Sequence, residues 1–137
     1  MIYNVTRTNK NTEREVDNLL GKRFGLLHKL RNGSIGSEPF IITDCSAEFG
    51  IDILSNDYDR KCNIELRPKG IIMHYRKKSS SFILPIAFSD LTISYTREKL
   101  LIHDRRLNVS LKPRVRPKKD SAFVQKMIAN HSAYLSQ

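Results

Sequence analysis

At 137 residues and 15.8 kDa the chain has room for one hydrophobic core, and its two cysteines, Cys45 and Cys62, are too few for a disulfide scaffold. No stretch of about 18 apolar residues occurs and no basic segment leads into an apolar one near Met1, so a membrane-spanning or exported chain is not expected and a cytoplasmic one is. The net charge of +10 is uneven: residues 1–59 hold 7 Lys/Arg against 9 Asp/Glu, whereas residues 60–137 hold 17 against 5, an excess that draws anionic partners without choosing among them.

The first predicted element begins at Thr12-Glu13-Arg14-Glu15, which reads as a capping box: the Thr12 oxygen accepts from the Glu15 amide while the Glu15 side chain reaches back. Val16, Leu19, Leu20, Phe24, Leu27 and Leu30 follow at helical spacing. Gly21 and Gly25 each cost about 1 kcal/mol against alanine inside a helix, so residues 21–31 read either as helix or as loop or strand. Asn32 to Pro39 is turn chemistry, because glycine permits positive φ and Pro39 disfavours helix just before it.

From Phe40 the period changes. Candidate strands are Phe40 to Cys45, Phe49 to Leu54, Cys62 to Arg67, Ile71 to Lys77, Phe82 to Phe88, Leu91 to Tyr95, Lys99 to His103 and Leu107 to Lys112, the fifth and sixth also readable as one bent strand. Ile64 and Leu66 alternate with Asn63, Glu65 and Arg67, and Leu107, Val109 and Leu111 with Asn108, Ser110 and Lys112, the pattern of an antiparallel sheet with one buried and one wet face. The turns at Pro68-Lys69-Gly70 and Asp104-Arg105-Arg106 are short enough only for hairpins. Beyond Pro113 a final helix, capped by Asp120 or Ser121, carries Phe123, Val124, Met127, Ile128, Tyr134 and Leu135 in one apolar stripe. That stripe needs an apolar surface to cover, and the open end of a curved sheet supplies one.

Ile64-Glu65-Leu66-Arg67-Pro68-Lys69-Gly70-Ile71-Ile72, followed by Phe82-Ile83-Leu84-Pro85-Ile86-Ala87-Phe88-Ser89-Asp90-Leu91, resembles bacterial pleckstrin-homology-like (PH-like) domains, in which such a strand follows a short basic hairpin. The resemblance implies a mainly β domain over residues 38–137: a seven-stranded antiparallel curved sheet or barrel capped by a C-terminal helix. Residues 1–37 then form an N-terminal helical extension and linker. It also implies a non-catalytic binding module that docks a protein partner or an anionic membrane surface. Two residue patterns depart from the family. The final helix has no tryptophan, a volume that Phe123 or Tyr134 could fill, and the first loop, Thr43 to Glu48, is acidic where inositol-phosphate-binding members are basic.

Candidate anion or partner contacts form two groups. Arg67, Lys69, Arg76, Lys77 and Lys78, followed by three serines, offer the charge and hydroxyl donors that phosphate requires, although lysines also guard sheet edges against mispairing. Arg105, Arg106, Arg114, Arg116, Lys118 and Lys119 form the densest basic run, its prolines favouring an extended backbone or simply a solvated linker. Nucleic-acid stacking would need accessible aromatics among these cations, but Tyr75 and Tyr95 fall on core faces, so a nucleic-acid-binding barrel ranks below a protein partner. The four histidines, His28, His74, His103 and His131, form no short ligand pair, and Asn56-Asp57-Tyr58-Asp59 lacks the glycine and late glutamate of a calcium loop. With no nucleophile elbow, phosphate-cradling glycine loop or spaced carboxylate pair, neither catalysis, metal nor cofactor is expected; an enzyme with an unrecognised site is the remaining alternative.

Overall fold

The computed structural model describes residues 1–7, 9–25, 36–97, 99–113 and 119–137, the side chains of residues 119–121 excepted. Its elements are β1 (Tyr3–Asn4), α1 (Lys10–Leu20), β2 (Phe40–Cys45), β3 (Lys61–Arg67), β4 (Gly70–Lys77), β5 (Ser80–Ala87), β6 (Thr92–Thr96), β7 (Lys99–His103), β8 (Asn108–Pro113) and α2 (Lys119–Leu135). All eight strands form one antiparallel sheet in the order β1-β5-β4-β3-β2-β8-β7-β6. The sheet is not closed, because β1 and β6 stand at its two ends. No helix among the described residues is long and apolar enough to cross a membrane.

Alternation decides which side chains meet. Ile64 and Leu66 of β3, Met73 and Tyr75 of β4, and Leu84 and Ile86 of β5 point to one face, where they join Leu100, Ile102, Val109 and Leu111 from the other half of the sheet. From α2, Phe123, Val124 and Met127 complete this main core. The helix stripe is shorter than its sequence suggests: Ile128 and Tyr134 are only partly buried and Leu135 is 56% exposed. Tyr134 nevertheless reaches the Phe88 ring, with centroids 5.6 Å apart.

The second face of the β3–β4–β5 half-sheet is not wet. Here α1 packs Val16 and Leu20 on Ile72 and Ile83, with Tyr3, Val5 and Ala87 around them. The helix ends because Gly21 adopts φ +80 and its amide bonds back to Asp17 O at 2.8 Å, and Lys69 N then donates to Leu20 O at 2.8 Å, tying the helix end to the β3–β4 turn. Gly70 is required at that turn, since a Cβ there would collide with Ile86 O and press on the Leu20 side chain. The helix is capped three residues before the expected Thr12: Asn9 is the cap, its Oδ1 accepting from Asn11 N and Thr12 N, because Asn9 rather than Thr12 has the extended backbone a cap needs. Residues 21–25 lie outside helix and strand, and residues 26–31 fall outside the described set.

Two strand assignments change. Phe49–Leu54 is a 3-10 turn and loop, not a strand, because Gly50 adopts φ +67 and Asp52 Oδ1 accepts from Leu54 N at 2.9 Å, a local bond that competes with strand pairing. The eighth strand is instead β1, whose two residues pair with Phe82 and Ile83 at the outer edge of β5. The strands before and after Phe88–Asp90 are separate, as a 3-10 turn divides them and they pair in opposite halves of the sheet.

Candidate functional site

The most developed polar site lies between α1 and the outer face of the sheet. Because β3 alternates, Glu65 and Arg67 both project outward, and α1 then covers Arg67 until it is 5% exposed. A charge so deeply removed from water needs partners, and the guanidinium has three: Nε donates to Glu65 Oε2 at 2.6 Å, and Nη1 to Asp17 Oδ1 at 3.0 Å and to Gly21 O at 2.9 Å. From β4, His74 Nε2 sits 3.0 Å from Glu65 Oε1, and Arg23 Nε lies 3.8 Å from Oε2. Desolvation alone would raise the Glu65 pKa, but hydrogen bonds and charge from His74 and Arg67 outweigh it and hold the carboxyl at about 2.

Beside this network is a cavity of about 510 Å³, within the range of roughly 300–1,000 Å³ usual for ligand sites. Val5, Val16, Ile72 and Ile83 give it an apolar floor, while Arg7, Asn9, Thr12, Lys22 and Arg23 stand at its polar wall with the Glu65–Arg67–Asp17 cluster. Asp17 and Glu65 are spent on Arg67 and His74. Arg7 and Lys22 are both exposed and make no ion pair among the described residues; Glu13, also in the lining, is exposed and makes none either, so the uncommitted charge of the wall is two cations against one carboxylate.

The cations singled out in the sequence do not converge. Arg67 is buried in the network above, and Lys69 is exposed at the β3–β4 turn beside it. Arg76, Lys77 and Lys78 are exposed at the β4–β5 turn, the far end of β4, roughly 20 Å away at the usual rise per strand residue. Arg105 and Arg106 occupy the β7–β8 turn, where Arg105 Nε donates to Asp90 Oδ1 at 2.8 Å. Arg114, Arg116 and Lys118 lie outside the described residues, and of Lys119 only the backbone, opening α2, is described.

Asp17, Glu65 and His74 were not among the residues that sequence reasoning selected. One signal was available: Ile71-Ile72-Met73 and Ile83-Leu84-Pro85-Ile86 are continuous apolar runs, which indicate strands covered on both faces. Two further reactive groups are withdrawn from solvent. Burial pushes the Cys62 thiol up to about 12 and, together with the neighbouring thiols, the Tyr75 hydroxyl also to about 12. Both cysteines are free, and no group of three His, Cys, Asp or Glu side chains among the described residues could hold a metal ion. Compared with known proteins, the chain matches no family model, and no curated sequence is significantly similar to it.

Proposed function

We propose that this protein is a non-catalytic binding module of PH-like architecture that docks an acidic segment of a protein partner, bearing an apolar side chain, in the cleft beneath α1. The cleft itself carries the reading: an apolar floor for one side chain, walled by a saturated ion network and by Arg7 and Lys22, which make no ion pair among the described residues and outnumber the one other carboxylate of the lining, Glu13. Supporting the architecture, β2 to β8 are seven consecutive antiparallel strands followed by α2, with β1 and α1 added outside them. The Glu65 carboxyl at about 2 is far from the neutral range in which a general acid or base works well, so the network fits a supporting role in binding better than proton transfer by Glu65.

Panning a random peptide library against the full chain tests this. Enriched peptides are expected to place Asp or Glu beside Leu, Ile or Phe, and to bind about tenfold more weakly to Lys22→Glu. Enrichment of basic or purely polar peptides, or binding indifferent to both Lys22→Glu and Arg7→Glu, overturns the reading.

A second reading rests on the β4–β5 turn, where Arg76, Lys77 and Lys78 are exposed in succession and could adsorb to an anionic membrane. It requires salt-sensitive binding to phosphatidylserine vesicles that is absent with phosphatidylcholine alone. Nucleic acid is less favoured, since Tyr75 is 3% exposed and stacked on Phe82 inside the sheet, away from any base.

A further inference from the structure

Residues 39–59 contain five carboxylates (Asp44, Glu48, Asp52, Asp57, Asp59) and no lysine, arginine or histidine. Since the whole chain is +10 and this segment is −5, everything else sums to +15. The segment is β2 and its connection to β3, and beyond β2 it divides its apolar residues between two tasks. Phe49 is 2% exposed and Ile51 packs against the main core, whereas Ile53, Leu54 and Tyr58 are 42%, 91% and 73% exposed. Only three other large apolar side chains among the described residues are comparably exposed, and none of them lies in this segment.

This tip is a built turn. Asp52 Oδ1 accepts from Leu54 N at 2.9 Å, Ser55 Oγ donates to Asp52 O at 2.6 Å, and Asn56 Oδ1 accepts from Asp59 N at 3.1 Å. Arg60 clamps its base, with Nε on Ser55 O, Nη1 on Ile42 O and Nη2 on Asp57 Oδ1. Leu54 is therefore presented to solvent on a fixed support, between carboxylates. Such an arrangement has the chemistry that the α1 cleft is shaped to receive, as exposed apolar groups rimmed by charge mark interaction surfaces.

The tip and the cleft belong to opposite faces of the sheet. Tyr75 points inward and donates to Phe49 O at 3.3 Å, which anchors the tip's loop on the main-core side, while Ile72 and His74 of the same strand point outward to the cleft. One chain cannot place its own tip in its own cleft. We propose that the occupant of the cleft is the tip Asp52–Asp59 of a second copy of this chain, Leu54 resting on Val5, Val16, Ile72 and Ile83 and the tip's carboxylates facing Arg7 and Lys22. This inference rests on the cleft reading above. Because each copy presents one tip and one cleft, the contact is head-to-tail and extends into chains or closes into a ring.

Sedimentation equilibrium of the full chain tests it. At about 50 mM salt the average mass is expected to rise above 15.8 kDa with protein concentration, and at about 500 mM, where exposed charges are screened, to fall back to it. Leu54→Ser, at a site 91% exposed and so neutral to folding, is expected to remain at 15.8 kDa throughout with an unchanged melting temperature. Lys22→Glu and Asp59→Lys are each expected to weaken association, and an equimolar mixture of the two to restore it. A mass of 15.8 kDa at every concentration, or association that persists in Leu54→Ser, overturns self-docking. If the chain stays monomeric while acidic-apolar library peptides still bind, only the self-docking falls; if neither occurs, the cleft reading falls with it.

Discussion

On the inner face of the β3–β4–β5 half-sheet, Ile64, Leu66, Met73, Leu84 and Ile86 meet apolar groups from every side; on the outer face of the same strands, Glu65, Arg67 and His74 share the surface with Ile72 and Ile83 under α1. The inner face owes its stability to area removed from water, which is insensitive to pH. The outer face combines a small apolar cluster with charges that must satisfy one another once the helix covers them. The contrast places pH-independent stability on one side of the sheet and charge-dependent stability on the other.

The largest expected effect comes from the inner face. Phe88→Ala removes a ring 1% exposed that also supports Tyr134 and His131, and should lower unfolding free energy in urea by about 3–5 kcal/mol. On the outer face, Arg67→Ala leaves Asp17 without its ion pair and Glu65 with only His74 and Arg23, and should lower it by about 3 kcal/mol, part of which Glu65→Gln in the same chain restores by removing the under-compensated carboxylate. An undiminished loss in the double variant would mean that Arg67 acts by packing alone.

A pH titration sharpens the contrast further. Glu65 is lowered on folding from 4.5 to about 2, so its contribution is complete above pH 4.5 and is lost as pH falls through about 2. Stability should drop across that window by up to about 3 kcal/mol more in the native protein than in Glu65→Gln, as read by denaturant midpoints. Smaller still is the helix cap: Asn9→Ala should cost about 1 kcal/mol and release α1 amides to hydrogen exchange, while Thr12→Ala should do neither. Least of all, Arg105→Ala, which breaks an ion pair with the arginine 83% exposed, should change stability by less than about 1 kcal/mol.

Much of the fold is legible in the residues. Seven of the eight strand assignments survive within two residues at each end, because segments such as Cys62-to-Arg67 and Leu107-to-Lys112 alternate so regularly that a shift of one residue would expose every apolar side chain. The Phe49–Leu54 segment misled because its apolar content resembles a strand while Gly50, Asp52 and Ser55 dictate turns. The candidate site was less legible. Arg67 reads as a surface cation at a strand end until α1 is laid over it, and the cations at the two ends of β4 are close in sequence order without being close in space.

By itself the sequence determined what period and local chemistry can determine: antiparallel hairpins, an amphipathic first helix, a final helix with an apolar stripe, and charge concentrated after residue 60. Only tertiary structure decided that Asp17 meets Arg67 fifty positions away, that β1 extends the sheet beside β5, and that an apolar-floored cleft opens between helix and strands. The reason is physical. Periodicity reports which face of an element avoids water, whereas the partner of a buried charge depends on which elements come together, and that is set by the packing of the whole chain.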